Sequence, residues 1–478
     1  MNSMNSMNSM NSNRIARYQP QIYLLVSSII LILLLLLPIA FNINILSGLL
    51  LVSFILYFRF SPPAITRDKR HNYLVLIFLF VLFLFSAYKL TEYRIPAAYI
   101  PVTALAMYVT IFYNDLKLVF AFCVLASYHA GIIAGSSLYL SLIFLITAMA
   151  TAILVFGLRK RSRILSAGCL SGIIQSLLYA LAYPPASFSS LAPNFYSGII
   201  CAIVVAGTLP VLENLFGVVT NISLLELSDF NHPLLKKMIL EAPGTYHHSL
   251  VVGNLAERAA ESIGANSLLA RIGAYYHDIG KLAHPEYFME NQRLLSKHAG
   301  LAPSMSKMII MNHVKEGIEL ARKYRLKPAI IDFITQHHGN GLVYYFYRKA
   351  LEEIEQDEKI YEEGFRYPGP RPTSKETAIV LLADSVEAAS RVISEPKAAK
   401  IEEVVHKVIN NKFIDGQLDD CELTLKDLEK IAQVFTHMLS GIYHGRIEYP
   451  EGNHHKQKGS RAAAFLPGQD KKLHPENL

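Results

Sequence analysis

The segment Tyr275-Tyr276-His277-Asp278-Ile279-Gly280-Lys281 sets a histidine directly before an aspartate, where a helical pattern gives way to a Gly-Lys turn. Imidazole nitrogen and carboxylate oxygen together suit a borderline-hard divalent cation such as iron or manganese, and a carboxylate can bridge two of them. One such dipeptide carries little weight. Its company carries more: His248 upstream, then His313, His337-His338 and Asp384 downstream, each on a stretch patterned as helix. Asp384 follows the apolar run Ile379-Val380-Leu381-Leu382-Ala383, where a carboxylate is costly to bury unless paired or bound to a metal. Five histidines and two carboxylates in this order make a ligand set for two octahedral ions sharing a bridge.

Each histidine taken singly is more often a satisfied core residue than a ligand, and adjacent histidines at a helix end can simply compensate its dipole. The joint pattern is what favours a metal. His232, His247, His284, His298, His406, His437 and His444 lack such company and are assigned to surface or caps, with His247 the hard case because it abuts His248. Lys281 is a candidate phosphate contact, balanced against an ordinary surface lysine. Arg391, two turns beyond Asp384, is a weaker candidate.

The elements that must position these residues read as helices. His248 lies on one beginning near Tyr246, with Gly253 open to a close neighbour. His277-Asp278 closes one beginning near Ser267, and His313 falls within Ser304–Tyr324. Pro328, after Lys327, reads as the first position of the helix that ends at His337-His338. Thr373-x-x-Glu376 reads as a capping box opening the Asp384 helix. The acidic run Glu352–Glu363 is expected to be a solvated helix face, Tyr367–Pro372 a rigid loop and Thr424–Tyr443 the last packed helix. Few stretches from Leu240 to Pro450 alternate as strands, so the fold class is all-α.

The hydrophobic fraction of 52% is concentrated between Gln21 and Gly217, in runs long enough to cross a bilayer. About eight spans are expected, at 22–40, 43–60, 73–90, 97–113, 117–135, 138–158, 164–183 and 196–216. Alternate loops carry the basic residues: Arg14 and Arg17; Arg59, Arg67, Lys69 and Arg70; Lys117; then Arg159, Lys160, Arg161 and Arg163. The positive-inside rule therefore places both the N-terminus and everything after Gly217 in the cytoplasm. The expected boundaries are a disordered tail at 1–21, a membrane region at 22–217, a connector at 218–240, a helical domain at 241–450 and a disordered basic tail at 451–478.

Gly131-xxx-Gly135 and Gly168-xxx-Gly172 let helices approach closely; packing within the chain is the favoured reading and a homodimer the alternative. His129 lies within a span near its outer end. No run of intramembrane carboxylates marks a transport pathway. The net charge of +7 follows from membrane-flanking loops and the tail, and no basic patch with interleaved aromatics suggests a nucleic-acid polymer. Cys123, Cys169 and Cys201 fall in apolar spans and Cys421 stands alone, so packing rather than a disulfide framework is expected.

The order of these residues resembles that of the HD-domain metal phosphohydrolases. The stretches Glu241-Ala-Pro-Gly-Thr-Tyr-His-His-Ser249, Gly273-Ala-Tyr-Tyr-His-Asp-Ile-Gly-Lys281 and Leu382-Ala-Asp-Ser-Val-Glu-Ala-Ala389 resemble one branch, the seven-transmembrane HD receptors of the PgpH-type cyclic-di-AMP phosphodiesterases. That resemblance implies a multi-pass protein of the inner (cytoplasmic) membrane with its HD domain in the cytoplasm. It implies two divalent cations, iron or manganese. His248, rather than His247, would be the ligand, joining His277, Asp278 and Asp384 at one ion, with Asp278, His313, His337 and His338 at the other. The implied reaction opens cyclic di-AMP to linear pApA, with a metal-bridging hydroxide as the attacking group. The chain departs from the branch in one respect. Only Phe41–Asn44 stands where a large extracytoplasmic domain is usual, which leaves an external ligand in doubt but not the chemistry.

The alternatives are cyclic di-GMP, guanosine tetraphosphate, and nucleotide binding without cleavage. Enzymes for cyclic di-GMP carry a Gly-Tyr-Pro signature, whereas His337-His338 is followed here by Gly339-Asn340-Gly341-Leu342. A histidine pair is not expected in the single-metal site of a tetraphosphate hydrolase.

Overall fold

The computed structural model describes residues 71–292, 297–298, 300–353, 361–393 and 397–443. The expected spans at 22–40 and 43–60, both tails and His444 lie outside the described residues. What is described is helical, and its one β-feature is an isolated antiparallel bridge between Leu342 and Arg366.

Five helices are long and apolar enough to cross a membrane: α1 (His71–Glu92), α3 (Leu116–Ile133), α4 (Leu138–Val155), α5 (Ser162–Ala182) and α6 (Phe188–Phe216). They expose Phe85, Ile153, Leu181 and Leu215 on their outer faces, the reverse of a soluble bundle and the pattern of a lipid-facing surface. The chain is a multi-pass membrane protein. The span expected at 97–113 is interrupted, however. Pro101 separates a short turn at Ala97–Tyr99 from α2 (Val102–Tyr113), whose 12 residues are buried nearly throughout. At 1.5 Å per residue α2 reaches only ~18 Å, well short of the ~30 Å hydrocarbon core.

The Gly168–Gly172 pair works within the chain. A Cβ on Gly172 would meet the Phe195 carbonyl oxygen at 2.2 Å, and one on Gly198 would meet that of Gly168 at 2.3 Å, so α5 and α6 pack backbone to backbone. Gly131 faces Ser141 closely, whereas Gly135 opens a turn and touches nothing. His129 is buried, with Nδ1 2.8 Å from the Leu125 carbonyl oxygen and its ring against Phe80. Cys123 and Cys201 are buried and Cys421 half-buried, but Cys169 is exposed rather than packed.

Two ends of this region are distinguishable. The Gly157 N–H donates to Asn114 Oδ1, and Arg161 Nε pairs with Glu226 Oε1 at 2.8 Å, so the basic loop lies on the side where the second domain begins. Ser137 and Tyr183 meet at the other end, Oγ to hydroxyl 3.0 Å.

The connector is made of short helices set off from the last span by Gly217. Gly217 ends α6 in the left-handed region (φ 62°), α7 (Asn221–Leu227) follows under a Thr220–Ser223 capping box, and α8 (Pro233–Glu241) follows a turn at Asp229–His232. The second domain comprises α9 (Pro243–Ile263), α10 (Ser267–Tyr276), α11 (Pro303–Lys323), α12 (Pro328–Gln336), α13 (Tyr344–Glu352), α14 (Lys375–Ser390), α15 (Ala398–Ile414) and α16 (Leu425–Tyr443). Its core runs from Val252 and Leu255 through Tyr276 and Phe333 to Ile379–Ala383 and Phe435. As the spacing predicts, α10 starts at Ser267 and α12 has Pro328 at its first position after Lys327.

Two readings are corrected. The capping box of α14 is Ser374 with Thr377, because Ser374 Oγ accepts from the Thr377 N–H; Glu376 instead accepts from Asn266 N–H at 2.8 Å. The acidic stretch is not one helix, since α13 stops at Glu352 and Glu362–Phe365 forms a 3-10 turn.

Candidate metal centre

Backbone geometry aims the histidines. His277 caps the C-terminal end of α10, and Asp278 opens the 3-10 turn Ile279–Ala283. Gly280 lets α11 come down onto that turn; a Cβ there would sit 1.8 Å from the His313 carbonyl oxygen, so only glycine fits. His337 caps α12, while His248 and Asp384 project from the buried faces of α9 and α14. The structure brings all seven side chains together, in two groups: His248, His277, Asp278 and Asp384, then His313, His337 and His338.

Asp278 joins the groups. Its Oδ2 lies 3.2 Å from His277 Nε2 and 3.5 Å from His248 Nε2, while its Oδ1 lies 3.4 Å from His313 Nε2 and 3.6 Å from His337 Nε2. Asp384 Oδ1 stands 3.1 Å from His248 Nε2, and Oδ2 3.8 Å from His338 Nδ1.

The tautomers decide what this arrangement wants. Nδ1 of His277 lies 2.6 Å from the Ala274 carbonyl oxygen, Nδ1 of His313 meets that of Ile310, and Nδ1 of His337 meets those of Phe333 and Ile334. A carbonyl accepts only, so each Nδ1 carries the proton and each Nε2 presents a lone pair. His248 is held in the same way by Glu387, Nδ1 to Oε2 2.8 Å. Lone pairs therefore face lone pairs: Nε2 of His313 and of His337 are 3.1 Å apart. Nε2 of His277 and Oδ1 of Asp278 are buried without a hydrogen-bond partner. Unmatched buried acceptors of this kind cost ~1–3 kcal/mol each, and cations between them remove that cost. The donor set fits divalent metal.

The protonation states agree. Burial lowers His313 to about 4, Asp278 resisting and His337 reinforcing. Burial, then His337 and His313, holds His338 well below its ordinary value. For Asp278 burial opposes ionisation, but His277 and Lys281 overcome it and hold the carboxyl well below the usual range. Asp384 is likewise held low by His248 against burial. His248 differs: burial pulls it down, yet Asp384 and Glu387 outweigh that and raise it to about 9.

Lys281 is no surface lysine. Its Nζ lies 2.7 Å from Asp278 Oδ2 and 2.8 Å from Glu290 Oε1; burial lowers its pKa, but both carboxylates outweigh it and keep the ammonium charged. Arg391 pairs with Glu387 Oε1 at 2.6 Å and, with exposed His247, Glu290 and Glu387, lines a cavity of about 330 Å³. His247 thus points away while His248 points in. Of the other histidines, His284 and His437 are exposed and His232 and His406 half-buried; His298 is buried instead, with Nε2 2.9 Å from the Tyr287 carbonyl oxygen. Sequence reasoning missed Glu387, Glu290 and Tyr367. Glu387 lies three residues past Asp384, on the same helical face, which was a usable signal. Tyr367, stacked on His338 at 4.3 Å, had none.

The profile of the family described as "7TM receptor with intracellular HD hydrolase" matches residues 37–220, and that of the HD domain matches residues 245–389. The chain is 39% identical over 366 residues to the cyclic-di-AMP phosphodiesterase PgpH of Bacillus subtilis (strain 168), covering 74% of this chain and 51% of that protein. It is 41% identical over 320 residues to the protein of the same name from Listeria monocytogenes serotype 1/2a (strain 10403S), covering 65% and 44%. A crystal structure of the L. monocytogenes PgpH HD domain in complex with cyclic-di-AMP aligns at 48% identity and a TM-score of 0.43, covering 46% of this chain and 100% of that one. The chain spans about half the length of the curated relatives it matches. Membrane helices followed by this His/Asp cluster, in register with both profiles, place the chain in the family of 7TM receptors with an intracellular HD hydrolase domain.

Proposed function

We propose that this chain is a membrane-bound, metal-dependent phosphodiesterase that hydrolyses cyclic di-AMP to linear pApA. The observation that carries the reading is the Asp278 carboxylate, whose two oxygens face two separate histidine groups. Its substrate rests on the names of the two curated relatives. His248, His277, Asp278 and Asp384 would hold one cation and Asp278, His313, His337 and His338 the other, iron or manganese in each case. Bound there, such a pair supplies Lewis acidity and a water acidified enough to attack phosphorus.

The side chains do the rest. His277, His313 and His337 are fixed by backbone carbonyls, and His248 by Glu387, so the ligand atoms are oriented in advance. The cluster is closed on most sides. His248, His277, Asp278, His313 and His337 are at most 5% exposed, while Asp384 is 12%, Lys281 13% and His338 24%. A phosphodiester therefore enters along the edge formed by Asp384, His338 and Lys281. Lys281 would place positive charge where the phosphoryl oxygens gain negative charge. Arg391, held by Glu387, is a candidate for the substrate's outer parts. The basic loop at 159–163, paired to the connector through Arg161, supports a cytoplasmic HD domain.

The test is turnover of cyclic di-AMP, cyclic di-GMP and guanosine tetraphosphate by the purified full chain in detergent. Cyclic di-AMP should be cleaved to pApA, with loss on chelation and in Asp278→Ala. Faster turnover of either competitor, or activity indifferent to chelator, would overturn the reading.

A further inference from the structure

We infer that Lys412 is an anion-binding residue that takes the second phosphate of a dinucleotide whose first phosphate lies at the His/Asp cluster. The assignment rests on the function proposed above and deepens it. A cyclic dinucleotide carries two phosphodiesters, and the metal ligands account for only one.

Lys412 is on the last full turn of α15, which packs against α14, the helix of Asp384. Its ammonium stands 3.4 Å from where a Cβ on Gly341 would be, and the Gly341 N–H donates to the His338 carbonyl oxygen at 3.0 Å. It therefore flanks the Asp384–His338 edge, the open side of an otherwise enclosed cluster. Asp384, Asp415 and Arg366 are the charges that act on it.

The other basic groups at this site are already neutralised. Lys281 lies between Asp278 and Glu290, Arg391 lies on Glu387, and Arg366 lies on Glu362 and Asp415. Asp415, three residues from Lys412, is taken by Arg366 and Gln417. Among the described residues no side chain or carbonyl takes the Lys412 ammonium, although it is half-buried. Burial draws its pKa below the ordinary lysine value, with Asp384 and Asp415 resisting. A half-buried ammonium with carboxylates near but none paired to it is unfavourable in the free protein, and a phosphate supplies the contact it lacks. Gly341 has no side chain to cover the ammonium, which a Cβ there would meet at 3.4 Å.

Lys412→Met in the full chain keeps the aliphatic stem and removes the charge, so a packing role predicts no change. The assay compares cyclic di-AMP with bis(p-nitrophenyl) phosphate, which has one phosphodiester and needs only the metals. Lys412→Met should raise KM for cyclic di-AMP by roughly 10–100-fold, the scale of one charge-assisted contact. Metal content and turnover of bis(p-nitrophenyl) phosphate should stay within about twofold, and Lys412→Arg should recover most of the loss. Equal loss on both substrates, or none on either, overturns the Lys412 assignment while leaving the phosphodiesterase reading intact. A wild-type chain that cleaves bis(p-nitrophenyl) phosphate and no dinucleotide overturns both.

Discussion

Lone pairs set the character of this protein at the residue scale. A carbonyl holds the Nδ1 proton of His277, His313 and His337, so their Nε2 atoms present lone pairs toward ionised carboxylates, while His248, held at Nδ1 by Glu387, turns its Nε2 to Asp384. One consequence is a pH dependence of metal uptake. His248 has its pKa raised from 6.5 to about 9, so without metal it keeps a proton across neutral pH. That proton stabilises the metal-free fold fully below pH 6.5, and the contribution is lost as pH rises through 9. Metal must displace the proton, so affinity should climb roughly tenfold per pH unit between these values and then level off. Competition titrations with a chromophoric chelator check this; an affinity flat from pH 6.5 to 9 would contradict it. The seven ligand candidates were legible in the sequence because chemistry restricts their types. Lys412 was not, since nothing in Ala398–Ile414 distinguishes it from a solvated lysine until α15 packs on α14.

The 3-10 turn Ile279–Ala283 and α11 make the critical contact at the element scale. Gly280 is the point at which the two backbones meet, and through it His313 is set against Asp278. Gly280→Ala should push the two apart, costing ~1–3 kcal/mol of stability as an overpacked core site. It should also cut turnover at least tenfold, since a misplaced catalytic group by about 1 Å can cost ~100-fold. Thermal unfolding and steady-state rates measure the two effects, and wild-type values in the Gly280→Ala variant would refute the packing argument. Where a proline or polar cap dictates an end, as at Pro328 or Ser267, the sequence marked it correctly. Elsewhere near-equivalent residues competed. Ser374 won the cap from its neighbour Thr373, and Pro101 divided an apolar run that hydrophobicity alone reads as continuous.

Across the whole molecule, the membrane region and the helical domain meet at buried charge. Glu213, 3% exposed near the end of α6, accepts from Thr220 Oγ1 and lies 3.3 Å from Nζ of Lys327, the residue that opens the helix ending at His337. The Tyr276 hydroxyl, adjacent in sequence to His277, donates to the Leu227 carbonyl oxygen at 2.7 Å. Glu213→Gln and Lys327→Met should each destabilise the full chain by up to ~3 kcal/mol. Lys327→Met should cost the more, because it strands the buried Glu213 carboxylate, whereas half-buried Lys327 keeps the Val218 carbonyl. The double variant should lose less than the sum of the two. Additive losses would mean that the pair is not coupled. None of this was visible in sequence, where Glu213 and Lys327 stand far apart with no pattern linking them. The central claim is that one carboxylate joins two cation sites. Counting metal in the purified, Mn²⁺-loaded full chain tests it most directly: about two ions per chain are predicted for the wild type and at most one for Asp278→Ala. A single ion in the wild type, or two retained without Asp278, would contradict it.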